Sequence, residues 1–476
     1  MPHLSGFTMR RRRAARPHPS TPAAALRATA TLFVVVGVLM GSWASVVPSV
    51  SVRTQIDHAE LGLALLGMAG GALVGMQLAG SWSARWGAGR VSLITVALSS
   101  LVVALPGWAT SLSSLTTALV VFGAATGSAN VAVNALGVEM QQAAQRPVMS
   151  MLHACFSFGG LGGALLGGVV AGLLPPPVHL SLVGVGALVV TTTVRPVLRH
   201  PASSGLDAET REGSSPTGGL LDARPLVLML GAAAACTAVS EGAVTDWGSL
   251  HLRETVGASP TMAASGFAAF SLAMGSARLA GRRLVIRFDD ATVLVWGAAL
   301  GAAGMLTAAL APSTTVAIIG FLLAGLGVAN VFPLAVGRAG LLAGTRGVAR
   351  ASTVGYTGLL GGPPVIGMLA ETWGLRAALV AVAGLVLCVA GLATAVERRL
   401  QGRLSVASAL REQARAGIGV LARTGERSMR AHADSLRQLL DQPEGEARSV
   451  GQGAPHRSPG VAAQHIPAPI SDTFPY

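Results

Sequence analysis

The stretch Ser240-Glu241-Gly242-Ala243-Val244-Thr245-Asp246-Trp247 closes an apolar run that begins at Leu226. The length of this run places Glu241 inside a membrane-spanning helix and Asp246 at the outer mouth of that helix. An ionisable side chain within a span costs about 2.5–3.5 kcal/mol to insert. Glu241 therefore indicates part of a substrate or ion pathway. The alternative is a carboxyl group that pairs with a neighbouring helix and only holds the packing.

The composition is that of a helical membrane protein. The 476 residues include 61 glycines, 51% are hydrophobic and 12% are charged, and the mean hydropathy is +0.59. Long apolar stretches rich in glycine are typical of packed membrane helices and not of soluble domains of this length. The net charge of +13 comes from arginines in short gaps between apolar runs and in the tails, so no nucleic-acid partner is expected.

The cysteines, the histidines and the absence of lysine argue against several classes of function. Cys155, Cys236 and Cys388 lie in apolar runs without metal-like spacing, so we expect no disulfide framework, metal or cofactor. The ten histidines are scattered, mostly in tails and loops, which argues against a membrane-embedded enzyme. The chain has no lysine and hence no Gly-x-x-x-x-Gly-Lys phosphate loop, so direct ATP-driven pumping is not expected.

The apolar runs predict twelve transmembrane helices. A bilayer core of about 30 Å needs roughly 20 helical residues. Runs of that size occur at residues 26–50, 59–82, 90–110, 115–138, 147–174, 177–197, 225–247, 260–280, 291–311, 315–338, 346–370 and 375–396. We therefore expect an all-α membrane protein.

The domain organisation follows from the gaps between these runs. We predict a basic tail at 1–25, a six-helix bundle at 26–197, a polar linker at 198–223, a second six-helix bundle at 224–397 and a tail at 398–476 that is partly helical and then disordered. Arginines concentrate in the tails, the linker and the loops of one side. The positive-inside rule then places both termini and the linker of this multi-pass membrane protein in the cytoplasm.

An internal repeat relates the two bundles. Three sets of residues recur in order about 200 residues downstream: 127–131 as 327–331, Gly159, Gly162 and Gly163 as Gly358, Gly361 and Gly362, and Gly80 with Arg85 as Gly281 with Arg287. Six plus six spans in one orientation form a parallel repeat. Such repeats place the substrate site near the midplane, between the halves.

Over residues 26–397 the chain resembles the major facilitator superfamily (MFS). The loop at 80–90 is similar to the signature loop of the family, although Ala84 and Gly89 stand where an acidic and a basic residue are usual. The resemblance implies two pseudo-symmetric six-helix bundles that transport a solute by alternating access. It also implies a gating role for the signature-loop residues Gly80, Arg85, Gly87 and Arg90.

A branch of bacterial permeases related to fucose permease is the nearest resemblance within the family. Its motifs in spans four, five, seven and eleven are similar to residues 130–139, 146–159, 241–247 and 355–364 of this chain. This resemblance alone suggests a sugar-like substrate taken up with protons. Residues 163–168 nearly match the span-five motif of the family's antiporters, which keeps proton-antiport efflux of amphipathic compounds or drugs as an alternative. A membrane sensor or channel with the same fold is the alternative from another class.

Eight residues are candidates for substrate binding or proton coupling: Glu241, Asp246, Asn130, Asn134, His153, Asn330, Trp43 and Tyr356. Glu241 is the candidate coupling carboxyl, and Asp246 is either an entrance residue or an ordinary outer-loop acid.

The neutral candidates each have a packing alternative. Asn130 and Asn134, one helical turn apart, share a helix face. They and Asn330 either hydrogen-bond a hydroxylated substrate or join helices. His153 either relays protons or only packs against neighbouring helices. Trp43 and Tyr356 either stack on a sugar ring or anchor their helices at the membrane interface.

Two further charged residues lie near the inner ends of their spans. Glu139 is either one side of a cytoplasmic gate or an end cap. Arg278 is expected to anchor the inner end of span eight and not to pair with Glu241. The expected partners are a small organic solute, protons and the lipid bilayer, and the expected state is a monomer.

Overall fold

The computed structural model describes residues 21–146, 148–171, 173–198 and 223–423, together with residues 434 and 437, and its regular elements in these ranges are helices. Their bounds are α1 Pro22–Thr54, α2 His58–Trp86, α3 Ala88–Val102, α4 Leu105–Trp108, α5 Leu112–Ala144, α6 Met149–Val170, α7 Pro176–Leu198, α8 Arg224–Gly242, a π-helical segment Ala243–Trp247, α9 Gly248–Glu254, α10 Pro260–Phe288, α11 Asp290–Ala309, α12 Thr314–Val328 and α13 Val331–Arg423. The predicted all-α membrane fold is confirmed. The predictions for most of the tail at 1–25, for the linker and for the end of the second tail lie outside the described residues.

Ten stretches in the described ranges are long and apolar enough to cross a membrane. The 57-residue stretch Arg346–Gly402 covers two predicted spans, and it divides at Gly374, where φ is +82°. The more polar α10 covers one predicted span in addition to the ten. The described helices therefore lie at every one of the predicted spans, whereas the cytoplasmic position of the termini stays a prediction.

Polar residues at the helix starts fix where several spans begin. Asp57 and Glu60 form a capping box at the start of α2, in which each carboxylate accepts the other residue's backbone N–H, at 2.8 and 3.1 Å. Asp289 starts α11 in the left-handed region, with φ +62°, and accepts the Thr292 N–H at 2.9 Å. The hydrogen bonds from Thr292 lower the pKa of the exposed Asp289 carboxyl.

Equivalent contacts in the two bundles confirm the pseudo-symmetry. Gly159 of α6 lies directly against the Val34 carbonyl of α1, with no room for a side chain. One repeat later, Gly358 of α13 lies in the same way against the Ala235 carbonyl of α8. Glycine lets the helix backbones touch, which is a usual way to pack helices in a membrane.

A second pair of equivalent contacts is polar. The Ser128 hydroxyl of α5 donates to the Gly75 carbonyl of α2 at 3.0 Å. In the other bundle, the Asn330 amide donates to the Ala277 carbonyl of α10 at 3.1 Å. A side-chain hydrogen bond thus joins span four to span two in the first bundle, and an equivalent bond joins span ten to span eight in the second.

The chain divides into two compact units, Met1–Arg398 and Arg399–Tyr476, and both bundles belong to the first. The bundles meet toward the end that the arginine distribution predicts to be outside. There the Ser249 hydroxyl of α9 donates to the Ala44 carbonyl of α1 at 2.8 Å, and Gly62 of α2 lies against α13 at Gly367. These contacts position the central site described next.

Candidate functional site

The stretch that carries Glu241 and Asp246 is wound partly as a π-helix. Residues Ala243–Trp247 form the π segment, and the Thr245 hydroxyl donates to the Glu241 carbonyl at 2.8 Å. Segments of this kind are rare within α-helices and frequently mark functional sites. Glu241 lies in the last turn of α8, immediately before this segment.

Arg278 of α10 is the centre of the polar cluster around Glu241. Its guanidinium donates from three nitrogens to three different acceptors: Nη2 to Glu241 Oε1 at 3.4 Å, Nη1 to Ser157 Oγ at 3.1 Å and Nε to the Ala329 carbonyl at 3.3 Å. Ser157 belongs to α6 of the first bundle, so Arg278 joins the two bundles. The prediction that Arg278 anchors its own helix end and does not pair with Glu241 is wrong, because the guanidinium turns into the protein toward the carboxylate.

The Ala329 carbonyl can accept from Arg278 because Pro333, four residues later in span ten, has no N–H to donate to it. Helix α12 ends at Val328 and α13 begins at Val331. A proline within a membrane helix is tolerated where the freed backbone groups find partners inside the protein. Here Arg278 satisfies the freed carbonyl. Asn330 holds the break against α10 through its bond to Ala277, so its amide has the helix-joining contact.

The two side chains of the ion pair differ in how much of their surface is exposed. The Arg278 side chain is 12% exposed, whereas the Glu241 side chain is 32% exposed. Arginine cannot be deprotonated in proteins, so its charge must be balanced wherever it is buried. Glu241 is therefore the partner in this pair that is able to titrate, since Arg278 stays charged.

His153 lies one turn from Ser157 on α6. Its carbonyl accepts the Ser157 hydroxyl at 3.2 Å, and its ring meets the Phe33 ring edge-on, with centroids 5.6 Å apart. The structure thus brings Glu241, Asn330 and His153 together around Arg278. Arg278 and Ser157 are the residues of this cluster that the candidate set lacked.

Asp246 is not at the outer mouth, where the sequence predicted it. Its residue is 9% exposed and Trp247 is wholly buried, because the span continues through α9 to Glu254. The Trp43 indole N–H approaches the Asp246 carboxyl without reaching hydrogen-bond geometry. Trp43 is itself wholly buried and packs edge-on against Phe122, with centroids 6.4 Å apart, so it has no free face for a ligand in this conformation.

The remaining binding candidates form local pairs. The Asn134 amide donates to Asn130 Oδ1 at 2.9 Å, as expected for two residues on one helix face. Tyr356 packs against Phe332, with ring centroids 6.3 Å apart. Among the described residues, no three His, Cys, Asp or Glu side chains lie close enough together to hold a metal ion.

Within the signature loop at residues 80–90, the chain turns between two helices at Gly87. Gly87 connects α2 to α3 with φ +86°, a conformation that favours glycine. Arg85 and Arg90 are exposed on either side of it, and Gly80 has open space around it. Glu139 approaches the backbone N–H of Ala88 at the start of α3, which is the position of a helix cap.

Comparisons with known proteins agree with this architecture. The Major Facilitator Superfamily model matches residues 30–250. An uncharacterized MFS-type transporter of Yersinia pestis is 35% identical over 375 residues, which make up 78% of this chain and 95% of that protein.

Two solved structures show the same fold at low identity. A bacterial homolog of the human lysosomal transporter Spinster is 17% identical, with a TM-score of 0.65 over 79% of this chain and 97% of that chain. A D-xylose-proton symporter is 13% identical, with a TM-score of 0.62 over 78% of this chain and 97% of that chain.

Proposed function

Because the chain belongs to the Major Facilitator Superfamily and is a membrane transporter, we propose that it moves a small polar organic solute by proton-coupled alternating access. Glu241 is the coupling carboxyl in this proposal. The observation that carries it is the Arg278 cluster, which joins the two bundles in the middle of the spans and contains an ionisable acid with an exposed side.

The cluster supplies a physical link between proton and solute. While Glu241 is ionised, it balances the charge of Arg278. A proton on Glu241 weakens this residue as an acceptor and frees the Arg278 Nη2–H for another acceptor. A hydroxyl or carboxylate oxygen of the solute can take that place, so proton and solute bind together.

The solute class follows from the donors and acceptors around Arg278. Ser157 already donates to the His153 carbonyl and accepts from Arg278, so the ring nitrogens of His153 are the groups left for a solute on the α6 side. A hydroxylated, sugar-like solute taken up with protons fits these groups, and a protein with the same fold is a D-xylose-proton symporter. The resemblance to the fucose-permease branch stays a prediction.

Efflux by proton antiport receives no support from the span-five motif. Gly163 and Gly167 lie against Val38 and Ser45 of α1, and Gly168 lies against Thr261 of α10. Helix packing alone accounts for these glycines. We further propose that the transporter works as a monomer in the bacterial inner membrane with both termini inside; the distribution of arginines supports this position of the termini.

The test is a solute screen in reconstituted vesicles with an imposed proton gradient, followed by Glu241→Gln. The variant should lose gradient-driven flux by at least about tenfold, which corresponds to 1.4 kcal/mol of the barrier. Exchange of solute at equal pH should persist in part.

Glu397→Gln is the matched control. Glu397 pairs with Arg338 at 2.8 Å within the second bundle, and the exposures of 34% and 15% resemble those of the central pair. The control should keep gradient-driven flux. Unchanged flux in Glu241→Gln would remove this residue from the coupling role.

A further inference from the structure

A second ionisable cluster joins the bundles at the predicted outer end. His58 is the first residue of α2, and its Nε2 lies 2.8 Å from Glu254 Oε2 at the end of α9. Its Nδ1 lies 3.2 Å from Glu371 Oε2 of α13, and its backbone N–H donates to the same oxygen at 3.1 Å. One residue of the first bundle thus binds two separate segments of the second bundle.

The geometry of this cluster favours a protonated imidazole. A neutral imidazole has one N–H and one nitrogen that only accepts, while an ionised carboxylate only accepts. Since both ring nitrogens face carboxylate oxygens, one further proton must lie on the ring or on a carboxyl. Two carboxylates against one imidazole favour the ring as its place.

Several other charged groups lie near this end of the bundles. Asp57 and Glu60, at the same helix start, are engaged in their capping box. Arg253 of α9 donates to the Ala258 carbonyl at 3.0 Å, and Arg376 lies near His251. Trp247 of the π segment faces the imidazole with its ring, with centroids 6.3 Å apart. Glu254 and Glu371 are therefore the charged groups that face His58.

We propose that His58 is a proton-binding site of the outer gate: the bundles close on the outer side by taking one proton from outside water onto His58, and they open by releasing it. The His58, Glu254 and Glu371 side chains are 27%, 41% and 44% exposed, so water reaches the cluster without passing the central site. The inference rests on the alternating access proposed above, but not on Glu241 as the coupling residue.

The size of the effect follows from proton linkage. One proton taken up on closure changes the ratio of closed to open protein by at most tenfold per pH unit. The steepest change belongs between the pKa values of His58 in the two states. Acid should close the outer side and base should open it.

The experiment measures the distance between spin labels on the two bundles. Thr110→Cys and Ser313→Cys place the labels on exposed positions at the predicted outer end, in full-length protein with Cys155, Cys236 and Cys388 replaced by alanine. Pulsed electron paramagnetic resonance in lipid nanodiscs gives the closed-to-open ratio at steps between about pH 5.5 and 8.5, a range that brackets histidine titration.

The variants separate a proton switch from simple packing. In the parent protein the short distance should dominate at low pH and give way to a longer one at high pH. His58→Arg keeps a cation between the two carboxylates and should stay closed throughout. His58→Gln should give a ratio that does not depend on pH.

Four outcomes would overturn the proposal. The first three are a constant ratio in the parent protein, a surviving pH response in His58→Gln, and a pH response in His58→Arg that equals that of the parent. The Glu241→Gln variant distinguishes a failure of the His58 proposal from a failure of the proposed coupling role of Glu241. It should retain the pH response of the outer distance whether or not it loses coupled flux. Loss of the response in Glu241→Gln would place the sensed proton at the centre and refute the role of His58.

Discussion

Replacement of Gly367 by leucine should force the outer side open. A Cβ atom at Gly367 would lie 2.5 Å from the His58 carbonyl oxygen and 3.0 Å from Gly62 Cα, both in α2 of the other bundle. Carbon atoms pack best at about 3.5–4.0 Å. The two helices must therefore move apart by about 1 Å for the Cβ alone, and further for the rest of the side chain.

The size of the shift toward the open state follows from the free-energy cost of overpacking. Extra methylene groups in a packed contact cost about 1–3 kcal/mol. Since the clash exists only while the bundles are closed, this cost changes the closed-to-open ratio by about 5- to 150-fold. At low pH, where His58 favours closure, Gly367→Leu should show a large fraction of the long distance between the labels at positions 110 and 313.

Gly361→Leu is the matched control in the same helix. A Cβ atom at Gly361 meets nothing within 4 Å, so the same substitution adds the same side chain without a clash. Its distance distribution should equal that of the parent protein. If Gly367→Leu also matched the parent, or if both variants opened equally, the backbone contact between α2 and α13 would not control the outer side.

Two further substitutions test the contacts between the bundles. Ser249→Ala removes the buried hydrogen bond to the Ala44 carbonyl, which is worth about 0.5–1.5 kcal/mol. The closed-to-open ratio in the same spin-label assay should therefore fall by about two- to tenfold. An unchanged ratio would mean that the bond persists in both states. Arg278→Lys keeps the charge but cannot reach three acceptors at once, so gradient-driven flux in vesicles should fall by at least about tenfold. Arg338→Lys, which changes a pair within one bundle, should lose much less, and equal losses would contradict the bridging role of Arg278.

Local signals made the architecture predictable from the sequence. Span length follows from bilayer thickness, so apolar runs alone place the helices. The repeat was visible because the contacts that relate the bundles use glycines at fixed offsets. Gly159 and Gly358 are recognisable in the sequence because only glycine fits where each helix touches its neighbour's carbonyl.

The partners of the charged residues could not be predicted in this way. Arg278 pairs with residues 37 and 121 positions away, and His58 with residues 196 and 313 positions away. No helical periodicity relates such positions. The buried Arg278 was nevertheless a signal, since an arginine within a predicted span needs an acid or carbonyl groups for its charge.

The error at Asp246 has a specific physical cause. The sequence indicated an end of span seven at Trp247 because the apolar run closes there. In the structure the span continues, since His251 Nε2 lies 3.0 Å from the Ala308 carbonyl and Arg253 donates to Ala258. Polar residues that find such partners do not end a membrane helix.

The repeat-equivalent residues Asn130 and Asn330 show how the bundles have diverged. Asn130 lies within the unbroken α5, whereas Asn330 lies at the break between α12 and α13. Pro333, where the first bundle has Val133, frees the Ala329 carbonyl, which Arg278 then uses together with Glu241. The groups that respond to a proton at the centre therefore belong to the second bundle.

This asymmetry determines where the bundles are held together by charge. At the centre the cluster reaches the first bundle through one hydrogen bond, from Arg278 to Ser157. At the outer end His58 faces two carboxylates of the second bundle. Exposed ion pairs contribute at most about 1 kcal/mol each, and the His58, Glu254 and Glu371 side chains are 27%, 41% and 44% exposed. In the proposed mechanism the outer proton favours closure of the outer side, while the central proton accompanies the solute.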